Sequence, residues 1–82
     1  YRARQYDEAI EECRTTVAMD PNYAPAHWYL GWAYLGRGMH EEAIAEVRRG
    51  VELAPGDPSG RFFLAYSLAV AGRTVEAREL LG

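Results

Sequence analysis

The chain has 82 residues, 49% hydrophobic and 26% charged, which is the balance of a soluble globular unit of one domain at most. Its formal net charge is −3 and its nine basic residues are scattered, so it lacks the clustered cations of a phosphate-binding surface, and no nucleic acid partner is expected. No apolar run approaches the roughly 20 residues that cross a bilayer and no leader pattern stands at the start, so no membrane partner is expected and a cytoplasmic location is.

The apolar spacing predicts five helices. The first covers about Gln5–Met19 and is closed by Pro21. The second, Ala24–Arg37, carries Leu30, Gly31, Ala33 and Tyr34 at spacings of three and four, one face of a 3.6-residue helix. Pro25 suits its first turn, and Gly38 suits the chain reversal that ends it. The third, His40–Leu53, repeats the pattern with Ala43, Ile44, Val47 and Val51. Glu41 and Glu42 fall in its first turn and Arg48 and Arg49 towards its far end, placements worth about 0.3–1 kcal/mol each against the helix dipole. The fourth, Pro58–Ala71, has Asp57 as N-cap, Leu64, Ala65 and Leu68 inward, and Gly72 at its end. The fifth, Thr74–Leu81, points Ala77, Leu80 and Leu81 inward. Short connections force successive helices into antiparallel hairpins.

These helices repeat every 34 residues. Ala9 falls on Ala43 and Ala43 on Ala77; Glu8 falls on Glu42 and then Glu76; Ile10 meets Ile44, Val17 meets Val51, Pro21 meets Pro55, Leu30 meets Leu64 and Gly38 meets Gly72. The stretch Ala26–Pro55, with Trp28-Tyr29-Leu30-Gly31, Ala33-Tyr34, Gly38, Glu42-Ala43-Ile44, Val51-Glu52-Leu53 and Pro55, resembles the tetratricopeptide repeat along its full length. The resemblance implies an all-α fold, with antiparallel helix-turn-helix hairpins stacked as a right-handed superhelix. It divides the chain into a partial repeat (1–23), a complete one (24–57) and a second partial one (58–82). With Tyr1 rather than Met at the start, the chain reads as an excised fragment or a processed product.

Packing gives the signature its reason. Ala9, Ala43 and Ala77 stand where two helices of a hairpin cross closely, and Gly31 and Ala65 oppose them. Some positions depart from the family's pattern. His27 and Arg61 stand where an aromatic is usual, with Trp28 and Phe62 one residue further on, about 100° round the helix. Gly50 replaces the usual Ala at a propensity cost of about 0.5–1 kcal/mol. Arg4 replaces an expected Gly.

The resemblance places a partner-binding groove on the concave side, lined by the first helix of each hairpin. Trp28, Trp32 and Leu35 map to it from the second unit, and Phe62, Tyr66 and Ala69 from the third. Trp28 with Trp32, and Phe62 with Tyr66, are four apart and share a helical face, an aromatic surface suited to a peptide or helix of a protein partner. The opposing reading buries these aromatics against other repeats or another copy of the chain, as a spacer or a homo-oligomer joined through exposed solenoid ends. Trp28 in particular either faces the groove or tucks into the hairpin. Tyr29 and Phe63 are expected to pack on the preceding unit's second helix.

The family's familiar carboxylate clamp needs lysine. All nine basic residues here are arginine, which also fits codon bias in a GC-rich genome, so the resemblance does not extend to that ligand. An apolar, aromatic-favouring or proline-rich segment fits better. Bacterial repeats of this look are, by resemblance, often appended to DNA-binding regulators, kinases or nucleotide cyclases. No catalytic role is expected: His27 and His40 belong to no metal-binding spacing, Gly31, Gly36 and Gly38 lack the Lys-Ser/Thr of a phosphate loop, and Glu41, Glu42 and Glu46 form a solvated face. Ser59 and Ser67 have no base partner in sequence. Cys13 reads as a small core residue, and no cofactor or metal is implied.

Overall fold

The structure, a computed structural model, describes residues 3–81. Its helices are α1 (Ala3–Met19), α2 (Ala24–Gly36), α3 (His40–Leu53), α4 (Pro58–Val70) and α5 (Thr74–Leu81), with no strand among the described residues. The fold is the expected all-α stack of hairpins. Helix α1 starts two residues early, in a turn where Arg4 reaches Glu8 at 3.4 Å. No helix among the described residues is long and apolar enough to cross a membrane.

The punctuation works as its chemistry requires. Gly38 and Gly72 have φ of 76° and 85°, the left-handed region where a Cβ would be strained. Each completes the same paired closure of the preceding helix. The Gly38 N–H donates to the Leu35 carbonyl at 3.0 Å and the Met39 N–H to that of Tyr34 at 2.9 Å; Gly72 to Ala69 at 3.1 Å and Arg73 to Leu68 at 2.8 Å repeat it. Asp57 caps α4, its carboxylate accepting from the Ser59 N–H at 2.9 Å. The dipole expectation holds at one end of α3 and fails at the other. Glu41 and Glu42 lie in the first turn, but no basic residue lies in the last. Arg48 and Arg49 stand one turn too early for an effect that fades within a turn. Arg48 reaches across to Glu76 of α5 instead, at 3.5 Å.

Each helix packs on its neighbours in the chain, and α4 also packs on α2. Two apolar clusters result. Ile10 of α1 joins Leu30, Ala33, Tyr34 and Ala43 in one, with Cys13 and Val17 half-buried against it. Burial raises the Cys13 thiol above its ordinary value, with the Glu12 charge adding to the effect. Trp28, Ile44 and Val47 join Leu64, Ala65, Leu68 and Ala77 in the other. Close crossing explains the small residues: a side chain on Gly31 would collide with Val47 and come to 3.0 Å from the Ala43 carbonyl.

His27 turns out to be a structural tie. It is 4% exposed. One ring nitrogen lies 2.8 Å from the Pro21 carbonyl and the other 3.1 Å from Glu46 Oε1, so the imidazole fastens the α1–α2 loop to α3. The position that usually fills this space with an aromatic ring fills it here with a ring that also bonds.

Candidate partner-binding face

Trp28 is 4% exposed and belongs to the core, which removes it from any accessible groove. The reason is two glycines on other helices. A Cβ on Gly50 of α3 would overlap the indole, and one on Gly60 of α4 would stand 2.8 Å from its Cζ2. The missing side chains form the slot that the ring fills. Phe63 stacks on the indole, ring centroids 6.1 Å apart and planes 19° from parallel. The indole Nε1 finds no acceptor there, a cost of about 1–3 kcal/mol set against burial of a large aromatic surface.

This arrangement also corrects the reading of Tyr29. It stays exposed and meets Phe63 of the following helix pair edge-on, at 6.1 Å between centroids. Phe63 itself is half-buried against the cluster that contains Ile44 and Val47, on the second helix of the preceding unit.

The remaining expected residues separate into two places. Trp32 is 37% exposed, and its ring lies 5.5 Å from that of Tyr6 on α1, tilted by 57°. Tyr6 can lie there because Gly36 has no side chain to collide with it. Leu35 is half-buried against the first cluster and presents little surface.

Phe62 and Tyr66 are 66% and 51% exposed, and with Ala69 they form one wall of a groove of about 320 Å³ between α4 and α5. The other wall is Thr74, Arg78 and Leu81, and the floor is Ala65 and Ala77. Alanines at the crossing keep that floor low, so the same small residues that let the hairpin close also give the groove depth. The walls follow helical spacing, 62, 66, 69 on α4 and 74, 78, 81 on α5. Sequence reading missed the α5 wall, having turned Leu81 inward; it is exposed, because the inward face of this short helix is taken by Ala77 and Leu80. The phase difference between Leu80 and Leu81, about 100°, is the signal that separates them.

The site is apolar with one cationic rim residue, Arg78. No group of three or more His, Cys, Asp or Glu side chains among the described residues is placed to hold a metal. The arrangement suits burial of a partner's side chains and offers no nucleophile–base pair.

Residues 1–58 match the tetratricopeptide repeat family, and residues 58–82 match a second description of the same repeat. Among curated proteins, the chain is 33% identical over 78 residues to FK506-binding protein 5 of Rhizopus delemar, covering 95% of this chain and 19% of that protein. It is 33% identical over 51 residues to small glutamine-rich tetratricopeptide repeat-containing protein 2 of Mycosarcoma maydis, covering 62% and 14%. It is 30% identical over 54 residues to serine/threonine-protein phosphatase T of Trypanosoma brucei brucei, covering 66% and 11%. The chain therefore spans less than a fifth of each of these relatives. All three are eukaryotic, so they lend no support to the bacterial setting that the resemblance suggested.

Proposed function

We propose that this chain, which belongs to the tetratricopeptide repeat family, holds a peptide or helix of a protein partner in the α4–α5 groove. The coarser role, a protein-interaction scaffold, follows from the family. The single observation that supports the finer one is the pairing of exposed Phe62 and Tyr66 above a floor of alanines. Aromatic side chains at a pocket with a water-excluding floor are where binding energy concentrates. Trp32, beside Tyr6 on the α1–α2 side, is a separate contact point rather than a continuation of this groove. In the matched relatives the same stretch is a small part of a longer protein, which fits a module that recruits partners for activities housed elsewhere.

The test is selection from a displayed peptide library on the immobilised chain, followed by titration of the winners. Phe62→Ala and Tyr66→Ala each weaken binding by about tenfold or more, whereas Tyr23→Ala, on an exposed loop residue, leaves it unchanged. Winners indifferent to Phe62 and Tyr66 would remove the groove from the proposal. Self-association through the same aromatics is the competing use. It predicts a sedimentation coefficient that rises with protein concentration and stops rising in the Phe62→Ala variant.

A further inference from the structure

The His27 ring stands between two oxygen acceptors. Nε2 lies 2.8 Å from the Pro21 main-chain carbonyl, and Nδ1 lies 3.1 Å from Glu46 Oε1. A carbonyl only accepts, so Nε2 carries a hydrogen and donates it. A neutral imidazole has one N–H, which leaves Nδ1 as a bare lone pair. An ionised Glu46 also presents only lone pairs, so the two atoms would repel at hydrogen-bond distance. The contact becomes a bond when one further proton sits between them. Imidazole is a stronger base than a carboxylate, so the ring carries that proton.

The ring is 4% exposed and the Glu46 side chain 29%. Burial strengthens the pair once it is made and makes the unmade pair costly. Other charges stand around it. Arg14 of α1 is near enough for its charge to act on Glu46, but its bonded partner is the Tyr34 hydroxyl. Asp20 precedes Pro21 in the loop, and Glu42 and Arg49 stand one turn either side of Glu46 on α3; all three are exposed. The 34-residue repeat sets this arrangement apart. In the third unit His27 corresponds to Arg61, which is exposed, and Glu46 to Leu80, which packs against the apolar cluster. The second unit thus has a joint that depends on a proton where the third has none.

We propose that His27 is a proton-dependent latch between the α1–α2 loop and α3. With the ring doubly protonated, Nε2–H donates to Pro21 and Nδ1–H to Glu46, and the loop is tied to α3. With one proton lost, the Pro21 bond remains and the Glu46 bond opens. Histidine exchanges this proton between about pH 8 and pH 5, so the latch closes on acidification and opens as pH rises. It stands whether or not the α4–α5 groove holds a partner.

Glu46→Gln separates a latch from an ordinary contact, because the glutamine amide can donate to a bare Nδ1 and needs no extra proton. One readout is the protonation of the His27 ring by long-range ¹H–¹⁵N correlation, with His40→Gln removing the other imidazole signal. The second is exchange protection of the Asp20 and Tyr23 amides, which donate to the Thr16 and Asp20 carbonyls. In the parent chain Nδ1 is expected to carry a proton at pH 5 and to lose it by pH 8, while loop protection falls about tenfold. In Glu46→Gln both ring bonds form without the second proton, and loop protection stays level. Should that variant not fold, the ring of the parent chain decides. Nδ1 in one state from pH 5 to pH 8, level protection in the parent chain, or a Glu46→Gln variant that follows the parent would overturn the proposal.

Discussion

The bare Cα of Gly50 on α3 lies against the indole of Trp28 on α2, so close that a methyl group there would overlap ring atoms Cδ1 and Nε1. Helix propensity alone favours Gly50→Ala by up to about 1 kcal/mol. Overpacking costs about 1–3 kcal/mol, because the indole is held on its other sides by Gly60 and Phe63 and cannot retreat. The expected outcome is a net loss on the order of 1 kcal/mol and a melting temperature lower by roughly 4–8 °C, read by circular dichroism. An unchanged or raised melting temperature would mean that the ring does not occupy that slot.

The two tryptophans differ in what they meet, and quenching separates them. In Trp32→Phe, the remaining Trp28 emits from the core and resists iodide. In Trp28→Phe, the remaining Trp32 is readily quenched. Equal quenching in the two variants contradicts the burial of Trp28.

Arg73 grips Glu76 with two bonds, Nε–H to Oε1 at 2.8 Å and Nη2–H to Oε2 at 3.2 Å. The hydrogen bonds from Arg73 hold the Glu76 carboxyl below its ordinary value of 4.5, with the Arg73 and Arg48 charges adding to the effect and desolvation opposing it. A depressed folded-state pKa means that this contribution is complete above the ordinary value and is lost as pH falls through the lower, folded one. Melting curves between pH 6 and pH 3 therefore decline less steeply for Glu76→Gln than for the parent chain. Parallel curves would show that the pair contributes nothing to the pH dependence.

Gly72 and Gly56 give a matched pair of substitutions. Both have open space where a Cβ would stand, but only Gly72 has a positive φ, 85°. Gly72→Ala is expected to cost about 1–2 kcal/mol in urea unfolding through backbone strain alone. Gly56→Ala is expected to be near neutral. Equal costs would point to something other than the left-handed turn.

What could be read in the sequence was what neighbouring residues decide. Proline, aspartate and glycine at helix ends act within a turn of themselves, so Asp57, Pro58, Gly38 and Gly72 set the element borders to within a residue or two. Small residues at the crossings could be read through the repeat. The place of Trp28 could not, because it depends on two absent side chains on two other helices. Gly50 looked like a weak helix residue only because the ring that uses it lies far off in the chain. The α5 wall of the groove was missed for a similar reason: Leu80 and Leu81 are equally apolar, and only the packing of α5 on α4 decides which turns in. His27 had no sequence signal for its tie to Pro21 and Glu46, since neither partner stands at a helical spacing from it.

Two exposed ion pairs tie α3 to α5 and to the turn before it, Arg48 to Glu76 and Arg73 to Glu41, both at 3.5 Å. On the opposite side α4 packs directly on α2. Since α3 packs on α4 as well, the exposed pairs lie over a packed joint rather than in place of one. Salt at physiological strength screens charges beyond roughly 8 Å and weakens exposed pairs, but leaves packed side chains untouched. Added salt is therefore expected to soften these ion pairs while the packed joint beneath them keeps the helices in register.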